Sequence, residues 1–324
     1  MGSKILYMGE SKLTTHVYGA SITAAISDID NSIKWVYNNY INIFYRTKTK
    51  DYFFDFFFFE EHSCPFLIFN TVPRTTIQSS YKEVIDFLCK SLDDEHYIGI
   101  VLDKYYLSCS PYYLSTHYYH PVFIYGYDSN LLVFYGCDHN RDNKFEHFML
   151  SFDEVEKSYW SLMNPSIYKS RVNLFTKLAN VEYDLDLRMI KNAISAFINS
   201  EATPKYYTTS GHIFGSNAVL HLADSILLAD EYIDARPFHL LWDQKKLMKE
   251  RLEYFEKNKF IDKGKNFSTI YDYFSNEYLK LRNMSLKYNI IKSERILAKM
   301  NSNLLLLTAS ELQVLKEIEA NIYT

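Results

Sequence analysis

The chain is poor in glycine and cysteine and has no long apolar run, and each shortage removes a class of function. Nine glycines are spread over 324 residues. Gly19 and Gly126 stand alone, so no glycine-rich loop is available to cradle a nucleotide phosphate. Four cysteines are scattered without a paired CxxC, which excludes a disulfide framework and fits a reducing compartment. No segment reaches the roughly 18 apolar residues of a membrane span. The opening MGSKILYMGES lacks an apolar stretch of signal-peptide length, and Leu6 stands where a myristoylation motif wants Ser or Thr. Positive charge is short as well. The net charge of −4 carries no basic footprint for nucleic acid. The expectation is a cytoplasmic protein with neither a nucleic-acid nor a membrane partner.

Aromatic residues, by contrast, are plentiful at 17%, with 29 Tyr and 23 Phe. An AT-rich coding sequence produces such an excess, so it is given no functional weight. A hydrophobic share of 48% over this length supports a sizeable core in one large or two modest domains.

Periodicity divides the chain near residue 170. Residues 1–15 read as extended. Ile22, Ile26, Ile29, Ile33, Val36 and Tyr37 then recur at three- and four-residue steps, which predicts a helix opening at Gly19. Residues 46–50 read as a solvated loop, and 52–59 and 65–69 as buried strands. Ser79 or Ser80 caps a helix over 81–92. A buried strand over 96–102 ends at Asp103. Ser151-Phe-Asp-Glu154 is a capping box for a helix through Trp160. Beyond 170 the pattern is helical over 185–198, 218–232, 240–260, 270–287 and 310–322. Lys245, Lys246, Lys249 and Arg251 read as a solvated face there. Two domains are expected, 1–170 and 171–324.

The most informative stretch is 120–138, HPVFIYGYDSNLLVFYGCD. Two β-branched and aromatic runs flank Asp128-Ser129-Asn130, a trio suited to a short hairpin loop. With those three as the loop, Ile124 opposes Phe134 and His120 opposes Asp138. Val122, Ile124, Gly126, Leu132 and Phe134 then form an apolar floor beneath them. A carboxylate that accepts from one imidazole nitrogen fixes the tautomer and leaves the other nitrogen as a base. The same pair also reads simply as two polar groups satisfying each other. His117, His120, Cys137 and His139 gather at one end of the hairpin, but neighbouring strand residues point to opposite faces, so no metal site is expected. A thiol that would complete His120 and Asp138 is missing from the start of the first helix, which runs His16-Val17-Tyr18-Gly19-Ala20-Ser21.

Two runs carry a family resemblance. Ile98-Gly-Ile-Val-Leu-Asp103-Lys-Tyr-Tyr-Leu107 is a strand ending in Asp with a Tyr-Tyr-Leu connection. His117-Tyr-Tyr-His120 then leads into an apolar strand closed by Gly126-Tyr-Asp128. This pattern resembles the proteins similar to butirosin biosynthesis protein H, related in turn to bacteriocin-processing cysteine peptidases. The likeness covers nearly the whole chain, is most specific over 98–138 and is weak after 200. It implies an α/β (α+β) architecture: a papain-like, cysteine-protease-type N-terminal domain with an antiparallel sheet, and a helical C-terminal domain.

The resemblance further implies a cysteine–histidine–aspartate acyltransferase of specialised-metabolite biosynthesis, of nonribosomal peptide or polyketide type. Such a protein takes an acyl group from the phosphopantetheine thioester of an acyl or peptidyl carrier protein and passes it to a small amine. It needs no cofactor of its own and is compatible with a homodimer. By position His120 is the base and Asp138 its orienting partner. The nucleophile falls on Val17 or Tyr18, neither of them cysteine. The upstream oxyanion glutamine is also missing, because the first is Gln78.

Three expectations follow. Acyl transfer proceeds through a hydroxyl such as Ser21 or Thr15, or by direct attack of an amine deprotonated by His120. Alternatively the chain is a catalytically degenerate member that binds a carrier protein or intermediate without turnover. Or Cys64 or Cys109 reaches the site. His16, Asp103 and His117 are expected around the cleft, His117 on its rim and Asp103 holding the connection. Ser21 also reads as an ordinary helix cap.

Overall fold

The computed structural model describes residues 2–47, 53–56, 63–81, 83–139, 144–162, 171–178, 180–202, 211–229 and 231–323. The chain forms two compact units, each discontinuous: Met1–Ser32 with Phe59–Tyr183, and Ile33–Phe58 with Asp184–Thr324.

The first unit is built on an antiparallel sheet. Its strands are β1 (Ser3–Ile5), β4 (Leu67–Pro73), β5 (His96–Asp103), β6 (Tyr119–Asp128), β7 (Val133–His139), β8 (Phe145–Ser151) and β9 (Arg171–Lys177). The order is β4-β9-β5-β6-β7-β8, with β1 pairing β6 over Gly126–Asp128, beyond the stretch paired with β5. One face carries Ile98, Ile100, Leu102, Val122, Ile124 and Phe134. These pack with Val84, Leu88 and Leu92 of α4 (Val84–Asp93) and with Val155 and Tyr159 of α5 (Phe152–Trp160). Each such side chain stabilises the unit by roughly 1.5–3 kcal/mol on burial.

The opposite face receives α1 (Val17–Ala25). There the Tyr18 ring lies over Gly99 and beside Phe175, and a Cβ at Gly99 would stand 2.7 Å from that ring. The capping box forms as expected: Ser151 Oγ accepts from the Glu154 N–H, and Glu154 accepts from the Ser151 N–H at 2.8 Å.

The second unit contains α2 from Ile33 onward (the helix spans Ser32–Asn38), β2 (Ile43–Arg46), β3 (Phe53–Phe56), α6 (Leu187–Asn199), β10 (His212–Phe214) and α7 (Gly215–Leu227). The long helices α8 (Arg236–Lys257), α9 (Phe267–Ile291) and α10 (Glu294–Asn321) complete it. Its small sheet runs β10-β2-β3.

The mixed α+β class is what the structure has, but several sequence expectations are corrected. The division at 170/171 misses two long-range placements. Strand β9 inserts between β4 and β5 of the first sheet, and 33–58 joins the second unit. The second unit is therefore not all helical. The helix expected from Gly19 through Tyr37 breaks after Ala25, with Asn31 at φ 69° before α2. A separate helix α3 (Arg74–Ser80) ends at the extended Tyr81, so α4 starts at Val84 rather than 81. Helix α10 begins at Glu294, well before 310.

Of the strand expected over 52–59, residues 53–56 are a strand, while 52 and 57–59 lie outside the described residues, as do 48–50 of the expected loop. The face expected to be solvated is partly internal. Lys245 is buried against Glu311 at 2.6 Å, and Arg251 is buried and donates to the carbonyls of Tyr37 and Asn39 at 2.7 Å each. Buried partners, invisible to helical periodicity, make those two positions interior. Among the described residues no helix is long and apolar enough to cross a membrane.

Candidate acid–base site

The hairpin of β6 and β7 sets the site, with a register different from the symmetric one. Asp128 pairs with Val133 and Tyr127 with Phe134, which leaves a four-residue loop, 129–132. Asp128 Oδ1 accepts from the N–H groups of Asn130 at 2.8 Å and Leu131 at 3.1 Å, and Leu132 takes a positive φ of 54°. This side-chain-to-backbone turn wins over the shorter loop. A bulge between Ile124 and Gly126 then restores Ile124 to the core face. As a result Tyr127, not Gly126, shares the floor with Ile124 and Phe134, and Leu132 is exposed. Beyond the bulge Phe123 pairs with Cys137. Continuing that register makes His120 a diagonal rather than a direct neighbour of Asp138.

The diagonal still brings the two together. His120 Nδ1 lies 3.3 Å from Asp138 Oδ1 and 3.4 Å from Oδ2, and 3.1 Å from the Pro121 carbonyl oxygen. All of these neighbours are acceptors, so Nδ1 carries the proton and Nε2 holds the lone pair. His120 keeps 28% of its side chain exposed while Asp138 is fully buried. The Tyr118 ring stacks on the imidazole at 5.6 Å.

Asp138 has two further partners. The buried ammonium of Lys104 forms an ion pair with its Oδ2, and His139 donates its backbone N–H to Oδ1 at 2.6 Å. Burial alone would raise the Asp138 carboxyl. Hydrogen bonds from His120 and His139, with the positive charge of Lys104, outweigh that and hold it well below the usual carboxylate range. His139 Nε2 donates to the Thr14 carbonyl at 2.9 Å, which ties the end of β7 to the approach to α1.

Beside this dyad lies a second. Asp103, fully buried at the end of β5, places Oδ2 2.6 Å from His117 Nδ1. Its Oδ1 accepts from the N–H groups of Tyr105 and Tyr118. This fits the expectation that Asp103 holds the connection. Half-exposed His117 stacks on Tyr105 with centroids 4.4 Å apart.

The residues expected to supply a nucleophile are elsewhere. His120 opposes Leu102 across β5 and β6, so both point to the face covered by α4 and α5. Asp138 shares that face by alternation from Phe134. Tyr18 and Ser21 meet the other face. The Tyr18 hydroxyl accepts from Asn173 Nδ2 at 3.0 Å, and Ser21 Oγ sits 3.4 Å from Cys137 Sγ, whose thiol burial pushes up to about 12. Val17 is buried in the first turn of α1, and His16 is the N-cap residue of that helix without a side-chain capping bond. Thr15 is buried and Cys64 is buried.

Cys109 does pack on the dyad's face. Burial, opposed by Lys104, raises its thiol to about 11, far from the thiolate a nucleophile needs.

No protein-family model and no curated protein matches the chain.

Its chemistry is therefore read from the two dyads themselves. Each offers an imidazole whose Nδ1 is tied to a buried carboxylate and whose ring lies on a tyrosine. Lys104 is the functional neighbour that sequence reasoning missed. A lysine directly after a strand end signals nothing until β5 and β7 bring it to Asp138.

Proposed function

We propose that the chain transfers an acyl group from a carrier-protein phosphopantetheine thioester to a small amine without a covalent enzyme intermediate. The observation that carries this reading is the pair of acceptors at His120 Nδ1, the Asp138 carboxylate and the Pro121 carbonyl, which places the proton of the neutral ring there and leaves Nε2 as a base in a half-open position. The amine nitrogen attacks the thioester carbon as His120 Nε2 takes its proton. The N–C bond forms, the C–S bond breaks, and the thiolate leaves with a proton returned from the imidazolium. Asp138 holds the ring and stabilises its charged form, the usual role of a carboxylate behind a catalytic histidine. A thioester is already activated, so orientation and one base suffice. The distant placement of Ser21 and Tyr18 and the high thiol of Cys109 favour direct attack over a covalent route.

A second reading has its own support. Asp138 is already neutralised by buried Lys104, an arrangement that also suits a degenerate protein that binds a carrier protein or intermediate without turnover.

Intact-mass spectrometry with acyl-pantetheine thioesters and a diamine separates the two. Amide product without a protein adduct is expected, unchanged in Cys109→Ser and lowered by roughly 10²–10⁴-fold in His120→Ala. A stable adduct would replace direct attack by a covalent route, and no product across the panel would leave the binding-only reading.

A further inference from the structure

We propose that His117 is a second catalytic histidine, backed by Asp103, which protonates the leaving sulfur while His120 accepts the amine proton. The inference rests on the acyl-transfer reading of the same site and divides between two imidazoles a proton movement that one would otherwise perform twice.

The geometry at Asp103 exceeds what holding a connection needs. Oδ1 alone serves the backbone, accepting from Tyr105 N at 3.1 Å and Tyr118 N at 3.2 Å. Oδ2 is committed to side chains: His117 Nδ1 at 2.6 Å and Ser161 Oγ at 3.1 Å. The Asp103 carbonyl is itself held by Ser158 Oγ at 3.0 Å. The carboxylate is fully buried, whereas the imidazole it holds is 55% exposed. A buried acceptor fixing the inner nitrogen of an outward-facing ring is the arrangement of an acid–base histidine, and here it is tighter than in His120–Asp138.

The two dyads share one anchor. Asp103 and Lys104 are consecutive, the first binding His117 and the second pairing with Asp138. Tyr118 links them again, since its N–H donates to Asp103 while its ring stacks on His120. Among the described residues neither histidine has a hydrogen-bond partner at Nε2. In the proposed step the amine gives a proton to His120 Nε2 as the N–C bond forms. The His117 imidazolium, stabilised by Asp103, gives its Nε2 proton to sulfur as the C–S bond breaks. Exchange with water then discharges His120 and recharges His117.

An acid is needed only where the leaving group is poor, and this supplies the test. Wild type, His117→Gln and His120→Gln are each assayed with an acyl-pantetheine and with the matching thiophenyl ester, whose thiolate leaves unaided. His117→Gln is expected to slow the acyl-pantetheine by roughly 10²–10⁴-fold and the thiophenyl ester by less than about fivefold, whereas His120→Gln slows both. An equal effect of His117→Gln on both donors, or none on either, overturns the role of His117 and leaves the acyl-transfer reading standing. No turnover of either donor by the wild type overturns that reading and this role together. Nitrogen-15 spectra give a readout independent of turnover: the Nδ1–H tautomer is expected for the neutral His117 ring, and an Nε2–H tautomer overturns its orientation by Asp103.

Discussion

Lys104 and Asp138 form an ion pair closed off from solvent, 3% and 0% exposed, beneath the half-open ring of His120. The pair joins the end of β5 to the end of β7, so it belongs both to the fold and to the site.

Removing one partner leaves a buried charge alone, which costs about 3–5 kcal/mol. Lys104→Met and Asp138→Asn are each expected to destabilise the first unit on that scale. The double variant should lose less than the sum, because neither charge remains unpaired. Urea unfolding of the four proteins measures the coupling. Strict additivity would show that the pair contributes nothing as a pair.

The low carboxyl of Asp138 sets a pH window. An unfolded aspartate titrates near roughly 3.9, and the folded group titrates lower. The native state therefore binds fewer protons, and stability rises with pH across that interval. The contribution is fully present above the unfolded value and is lost as pH falls toward the folded one. Between about pH 5 and pH 2, unfolding free energy should drop less steeply in Asp138→Asn than in wild type. Parallel slopes would remove Asp138 from the acid sensitivity.

Arg251 plays a comparable part in the second unit. It is buried, with Nε on the Tyr37 carbonyl and Nη2 on the Asn39 carbonyl, both at 2.7 Å. Hydrogen bonds from a charged group contribute about 1.5–3 kcal/mol each. Arg251→Met preserves much of the volume and is expected to cost about 3 kcal/mol or more. Amide exchange around residues 37–40 should accelerate most; uniform acceleration across the unit would contradict a local clamp.

At Gly126 the backbone of β1 lies close against β6. A Cβ there would stand 2.8 Å from the Lys4 carbonyl oxygen and 3.0 Å from Ile5 Cα, both backbone atoms that cannot rotate away. Gly126→Ala is expected to cost about 1–3 kcal/mol and to release β1. Loss of exchange protection at Leu6, whose N–H donates to the Tyr125 carbonyl, reports the release directly.

Local patterns carried much of this protein. The continuous apolar run of 96–102 marks β5, the Ser151–Glu154 box marks the start of α5, and the amphipathic period of the C-terminal part marks its helices, because each depends on residues within a few positions of one another. His120 and Asp138 were legible as partners because a single hairpin joins their strands, although the Asp128 turn and the bulge at 124–126 changed their geometry from opposed to diagonal.

What the sequence by itself determined is therefore the type of the longer elements, the strands β5 to β7 and the C-terminal helices, and the presence of one carboxylate–imidazole pair. The tertiary structure decided everything that joins distant segments: β9 within the first sheet, 33–58 within the second unit, Lys104 against Asp138, and the burial of Lys245 and Arg251. It also decided that Tyr18 and Ser21 face away from His120. The physical reason is that periodicity records which side of an element is apolar. Which strand lies next to which, and what stands across the sheet, follows from packing among segments far apart in the chain.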